Sequence, residues 1–157
     1  MTVERVKFAF VALFFAVLAL VGLSAGADYG LPCDEPTEQI ILQENMLEYA
    51  LRLFGEDSAP AQWYLSRGIT PISQSIEQDH GQCAYYLAAA LLPLQEEAPD
   101  RVMVLWHAYT WLWFMLGVAA VYGFCREAKL SRPVSCGGML LLYLCPRFFA
   151  EGHYNSK

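Results

Sequence analysis

At 157 residues the chain is one domain's worth, or a small domain plus membrane segments. With 56% hydrophobic and only 17% charged residues it is too apolar for an ordinary soluble protein. The net charge of −6 conceals an asymmetry: residues 28–101 carry thirteen acids against three bases, and the remainder seven bases against three acids. A nucleic-acid partner is disfavoured, because nothing in that acidic stretch would neutralise phosphates.

The chain opens with Arg5 and Lys7, an apolar run from Phe8 to Leu23, and then Ser24-Ala25-Gly26-Ala27. A basic start, an apolar centre and a small-x-small site predict an export signal over residues 1–27, cut after Ala27. The alternative is an uncleaved signal anchor, since residues 6–26 are long enough to span a bilayer.

The exported stretch, residues 28–101, reads as a helical hairpin. From Glu38 to Phe54 the apolar residues Ile40, Leu47, Leu51 and Phe54 recur on one stripe, and Gly55 is a natural stop. A second helix is expected from Ser58, with Asp57 or Ser58 as cap and Pro60 in its first turn. Gly68 and Thr70-Pro71 break it, and helix is expected again from Ile72 to about His80. An apolar seam and an acidic outside follow. Cys33 and Cys83 are the two cysteines of this stretch. An oxidising compartment makes a Cys33–Cys83 disulfide the simplest account of them, against two free buried thiols. Closing that loop is worth about 4 kcal/mol in the chain-entropy view.

Val102 to Cys125 is a 24-residue apolar run without Asp, Glu, Lys or Arg. As a helix it reaches about 36 Å, enough to cross. Arg126, Lys129 and Arg132 follow at once, and the positive-inside rule puts residues 126–157 on the same face as Arg5 and Lys7. Trp106 suits an interfacial belt; Trp111 and Trp113 sit deeper. A third apolar stretch, Met139 to Cys145, is too short to span and suggests a re-entrant or interfacial segment lying on protein. Cys125, Cys136 and Cys145 lack metal-ligand spacing and are expected to be free. The fold expected is thus all-α: an exported hairpin, one transmembrane helix at 102–125 and a short apolar C-terminal segment.

No nucleophile elbow, P-loop, zinc-protease or dinucleotide motif occurs, so no enzyme is expected and no catalytic or metal site is assigned. His80 and His153 stand in polar surroundings and call for no function. His107 lies among aromatics near one end of the span, where a neutral imidazole can ligate a chlorophyll magnesium or a haem iron, or bond a backbone.

Two stretches, Asp28-Tyr29-Gly30-Leu31-Pro32-Cys33 after the leader and Asp57-Ser58-Ala59-Pro60-Ala61, resemble photosystem I reaction-centre subunit III, the electron-donor docking family. The order of leader, Cys33, helix, turn, helix, Cys83, span and apolar tail also resembles that family, over about residues 20–150. The resemblance implies a non-catalytic, pigment-contacting subunit of the plastid thylakoid membrane, with residues 28–101 in the lumen. It implies chlorophyll a and carotenoid as cofactors. Partners would be photosystem I core subunits and peripheral antenna, with transient contact to plastocyanin or a soluble cytochrome.

The chain departs from the family pattern. The family's Leu-Thr-Pro-Cys lacks its Thr here, and Ala84-Tyr85-Tyr86-Leu87 follows the second Cys. Green-lineage members carry a lysine-rich face on the first lumenal helix. Here the donor-facing helix has Arg52 as its only base, against Glu38, Glu44 and Glu48, and would repel an acidic donor. The docking role is therefore not carried over. The alternative is an accessory transmembrane subunit of another energy-transducing complex, such as a mitochondrial respiratory assembly. A membrane receptor is disfavoured by the apolar tail.

Overall fold

The computed structural model describes residues 3–30, 34–80 and 84–154. Every regular element among them is helical. The chain divides into two compact units, one of Met1–Gly30 with Met103–Lys157, the other of Leu31–Val102. Cys33 and Cys83, and hence the expected disulfide, lie outside the described residues; Cys125, Cys136 and Cys145 are free thiols.

The first unit is built from α1 (Val3–Ala25), the body of α4 (Pro99–Glu127), α5 (Arg132–Tyr143) and α6 (Pro146–Tyr154). Residues Glu4–Asp28, with mean hydropathy 2.6, are long and apolar enough to cross a membrane. So are Pro99–Glu127, with mean hydropathy 1.4. α5 and α6 meet that test only together, as a pair bent by 68°. The bend falls where Pro146 cannot continue the α5 ladder. Among the described residues two helices therefore qualify as spans, or three if the bent pair is counted, where one was expected beside an export signal or signal anchor.

α1 and α4 run antiparallel. The His107 ring at the start of α4 meets the Gly26 carbonyl at the end of α1, and Trp111, one turn on, donates its Nε1–H to Ala19 O at 3.0 Å. α5 begins at the opposite end, where Arg132 bonds Glu4 at 2.6 Å. Its last turn sends the Tyr143 hydroxyl to Leu18 O, and α6 ends with the His153 ring 2.9 Å from Gly22 O. The α5–α6 pair thus passes from Glu4 to Gly22 along α1, about 27 Å of helix at 1.5 Å per residue. The expected short segment is one part of this longer path.

Glycines permit the close approach. A Cβ on Gly22 would lie 1.8 Å from Trp111 Cζ2, and one on Gly152 would lie 2.8 Å from the Phe114 ring. Around Trp111 pack Leu18, Met115, Val118, Met139 and Tyr143. α4 ends in a turn with Lys129 in the left-handed region at φ 63°, and the Arg126 guanidinium closes it on the Leu130 carbonyl.

The second unit is arranged around α2 (Glu35–Phe54). Gly55, at φ 83°, ends α2 with its N–H on Leu51 O. Ser58 then caps α3 (Ala59–Leu65), accepting from the Ala61 N–H at 3.4 Å, with Pro60 in the first turn as expected. Leu47, Ala50 and Ala61 form the small core where α2 meets α3. The expected helix from Ile72 to His80 is only a 3-10 turn at Ile72–Gln74. The Ser75 hydroxyl takes the Glu77 N–H there, offering the backbone an alternative to a helical ladder. A 3-10 run at Tyr86–Leu94 was not foreseen; Pro93 inside it removes a donor and disfavours α geometry at Leu92.

α2 does not have the single buried stripe expected of a hairpin. Ile40 is 48% and Phe54 66% exposed, while Glu38 and Glu44 are buried with Ile41, Leu42 and Leu47. The cause is wrapping: α3, the Ile72–Gln74 turn and the Tyr86–Leu94 run all pack on α2, so its middle is enclosed on several sides.

The Gly22 contact makes a first prediction. Gly22→Ala forces the Trp111 ring out of its seat and should cost about 1–3 kcal/mol or more, as overpacking does. Gly137→Ala, which meets nothing within 4 Å, should cost little. The thermal midpoints of the two variants in detergent, followed by tryptophan fluorescence, check this.

Candidate functional site

Two places bear on function: the acidic face of α2 with its neighbours, and the histidine-bearing end of the first unit.

On α2, sequence reasoning brought forward Glu38, Glu44, Glu48 and Arg52 as one exposed group. The structure separates them. Glu38 and Glu44 are buried, and the Thr70 hydroxyl reaches Glu44 Oε1 at 3.5 Å. Glu48 is half-buried and fully engaged. Arg52 Nε donates to its Oε1 at 2.7 Å, and the Ser73 hydroxyl donates to its Oε2 at 2.7 Å. The Ser73 hydroxyl first, and the Arg52 guanidinium second, hold the Glu48 carboxyl below the usual range. Arg52 is thus an i,i+4 partner of Glu48, already spent within the helix. Arg67 is paired in the same way, with Nε 2.9 Å from Glu96 and its guanidinium 3.8 Å above the Trp63 ring. Two of the three bases between residues 28 and 101 therefore have a carboxylate on them. The exposed acids of this unit are Asp34, Glu56, Asp57, Asp79, Glu96, Glu97 and Asp100.

In the first unit His107 is fully buried, with Nδ1 3.2 Å from Gly26 O. A ring ligating a pigment magnesium needs one nitrogen facing open space for a macrocycle. His107 as placed does not fit that role; it joins α4 to the end of α1. Trp106, expected at an interface, is also fully buried. Trp113 is instead the exposed tryptophan of α4, with Tyr109 edge-on to it.

His153 is the residue that sequence reasoning missed. It was expected in polar surroundings and is wholly buried. Its ring stacks between Tyr29 and Trp111, each with centroids 4.3 Å away. Its Nδ1 lies 2.8 Å from Phe149 O, and its Nε2 lies against Gly22 O. The spacing Phe149–His153 on an amphipathic turn that follows Pro146 was the available signal. His107 and His153 converge on Gly26, where an added Cβ would lie 3.5 Å from His153 Cδ2. Among the described residues no group of three His, Cys, Asp or Glu is placed to hold a metal. No protein-family model, curated protein or solved structure matches the chain.

The Glu48 cluster sets a pH dependence. Its carboxyl titrates lower in the folded than in the unfolded chain, so ionised Glu48 adds stability above the ordinary glutamate range. That stability is lost as pH falls through the range toward the folded value. Amide exchange in α2 should accelerate as pH drops below about 4, after correction for the intrinsic rate. Ser73→Ala should flatten this response, and an unchanged profile would remove Glu48 from the account.

Proposed function

We propose that the chain is a non-catalytic, membrane-integral subunit of photosystem I. Its acidic unit stands on the lumenal side of a plastid thylakoid membrane, without a cationic dock for the electron donor. The observation that carries this reading is the order of features along the chain. A helical, strongly acidic unit is inserted between two apolar helices whose far ends are both basic, and it contains the Asp57–Ala61 turn that resembles the subunit III family. The Ser58 cap and Pro60 at the start of α3 give that turn a mechanical reason.

Chlorophyll a and carotenoid would be contacted rather than ligated by this chain. The apolar side chains available for such contact are the outward ones of α1 and α4, among them Phe8, Phe10, Trp113 and Phe124. Core subunits and peripheral antenna would cover part of the same surface. A soluble donor, plastocyanin or cytochrome, would meet the exposed acids, while Arg52 and Arg67 are held by Glu48 and Glu96. Screening acts on exposed charges, so an acidic donor would be repelled less as salt rises.

α1 on this reading is a retained span, and the α5–α6 pair returns through the membrane. α5 is about 18 Å long. α6 turns 68° away from it and carries Arg147 and Glu151, 3.8 Å apart, toward the headgroups. The polypeptide would then leave the membrane on the side where residues 28–101 lie, opposite to the face that the basic run 126–132 alone suggests. A tag before Met1 should remain on the mature chain and be digested only from the face opposite to residues 28–101. A tag after Lys157 should be digested from the same face as residues 28–101. Loss of the N-terminal tag, or protection of the C-terminal tag together with the N-terminal one, would overturn this topology.

The assignment to photosystem I is tested by purifying the native assembly through a tag on this chain. Chlorophyll should co-purify, and flash-induced re-reduction by an acidic donor should quicken with added salt. Haem without chlorophyll would favour the respiratory reading instead, and an assembly with no pigment would reject both.

A further inference from the structure

A groove of about 650 Å³ opens at the basic end of the first unit, between α1 and α5 beside the last turn of α4. Phe10 and Val11 of α1 and Pro133 of α5 give it apolar walls, and Lys7, Arg126 and Arg132 line it as well. Its size falls in the range of sites that hold small molecules. One carboxylate serves these cations: Glu4 takes Lys7 at 3.3 Å and Arg132 at 2.6 Å. Arg126 has its guanidinium on the Leu130 carbonyl and no carboxylate partner among the described residues. Three cations and one anion leave a surplus of two positive charges beside an apolar slot.

That combination selects its occupant. Inorganic phosphate would satisfy the cations and leave the apolar walls without use. A zwitterionic lipid would fill the slot but bring its own cation. A molecule with an anionic head and a hydrocarbon tail answers both, and basic pockets between helices at this face of a membrane suit such headgroups. We propose that the groove binds an anionic glycerophospholipid. Arg126 and Lys7 hold its phosphate, and the upper part of one acyl chain lies between Phe10, Val11 and Pro133. This rests on the placement of α1 and α4 across a bilayer, and not on the assignment to photosystem I.

The experiment is native mass spectrometry of the full chain in detergent. Phosphatidylglycerol and phosphatidylcholine with identical acyl chains are added together. The wild type should retain phosphatidylglycerol about tenfold better, the ratio that about 1.4 kcal/mol produces. The double substitution Lys7→Gln with Arg126→Gln should erase the preference, whereas Arg52→Gln in the second unit should leave it intact. Val11→Trp, which fills the slot without changing charge, should reduce retention of phosphatidylglycerol; circular dichroism verifies that both groove variants keep their helix content. Equal retention of the two lipids overturns the proposal, as does a preference that survives the double substitution. Competition by millimolar inorganic phosphate would assign the site to a free anion and also overturn it. Failure of the membrane placement is seen separately, as release of the chain from membranes by alkaline carbonate.

Discussion

The first unit depends on the Trp111 ring lying against the bare backbone of Gly22. Inside a bilayer no hydrophobic force pulls one apolar helix onto another, because lipid tails are as apolar as leucine. Helices hold together there by close packing and by hydrogen bonds that lipid cannot replace. Gly22 removes the side chain that would keep α4 away. The indole then reaches across α1 and donates to Ala19 O. Once the ring is seated, its two faces and its edge organise the rest. His153 stacks on one side, Phe114 leans on it, and Tyr143 and Phe149 meet it edge-on. The bent α5–α6 pair is held by what it brings to Trp111 and to the carbonyls of α1.

The second unit obeys different physics. It is small and strongly acidic, so its difficulty is self-repulsion rather than a lack of packing force. Pairing is one answer: Arg52 neutralises Glu48, and Arg67 neutralises Glu96. Enclosure of the middle of α2 is another consequence of size. Short pieces of chain must cover a twenty-residue helix from several sides, and Glu38 and Glu44 go inside with the leucines. The outcome is a face with fewer charges than the sequence suggests and with Ile40, Leu53 and Phe54 left outside.

The parts legible in the sequence were those set by local rules. Length and apolar content marked α1 and α4, and the Gly55 stop and Ser58 cap placed the junction of α2 and α3 to within a residue or two. What escaped was set by packing at long range. A single apolar stripe implies that one side of α2 meets a partner, whereas the neighbouring segments wrap several of its sides. His153 reads as polar from its neighbours Glu151 and Asn155, yet its environment is made by Tyr29 and Trp111, far away in the chain. His107 has the chemistry of a ligand, yet the Gly26 carbonyl, 81 positions earlier, takes one of its nitrogens. The α5–α6 pair meets the length and hydropathy test only as one path, because the bend at Pro146 splits it into two pieces, each too short to span.

The same contacts bear on the leader-like composition of the first 27 residues. Composition alone describes a segment to be cut away, but composition does not record what the segment touches. Trp111, Tyr143 and His153, from three different helices, all direct polar atoms at carbonyls between Leu18 and Gly22. Without α1 the indole N–H and the phenol would lose the acceptors they have in this unit. A buried donor stripped of its partner costs about 1–3 kcal/mol. The aromatic cluster would also lose the Gly22 surface against which it is packed. On the proposed reading, in which α1 is retained, the correspondence between those side chains and the α1 backbone is what would hold the first helix in the folded protein.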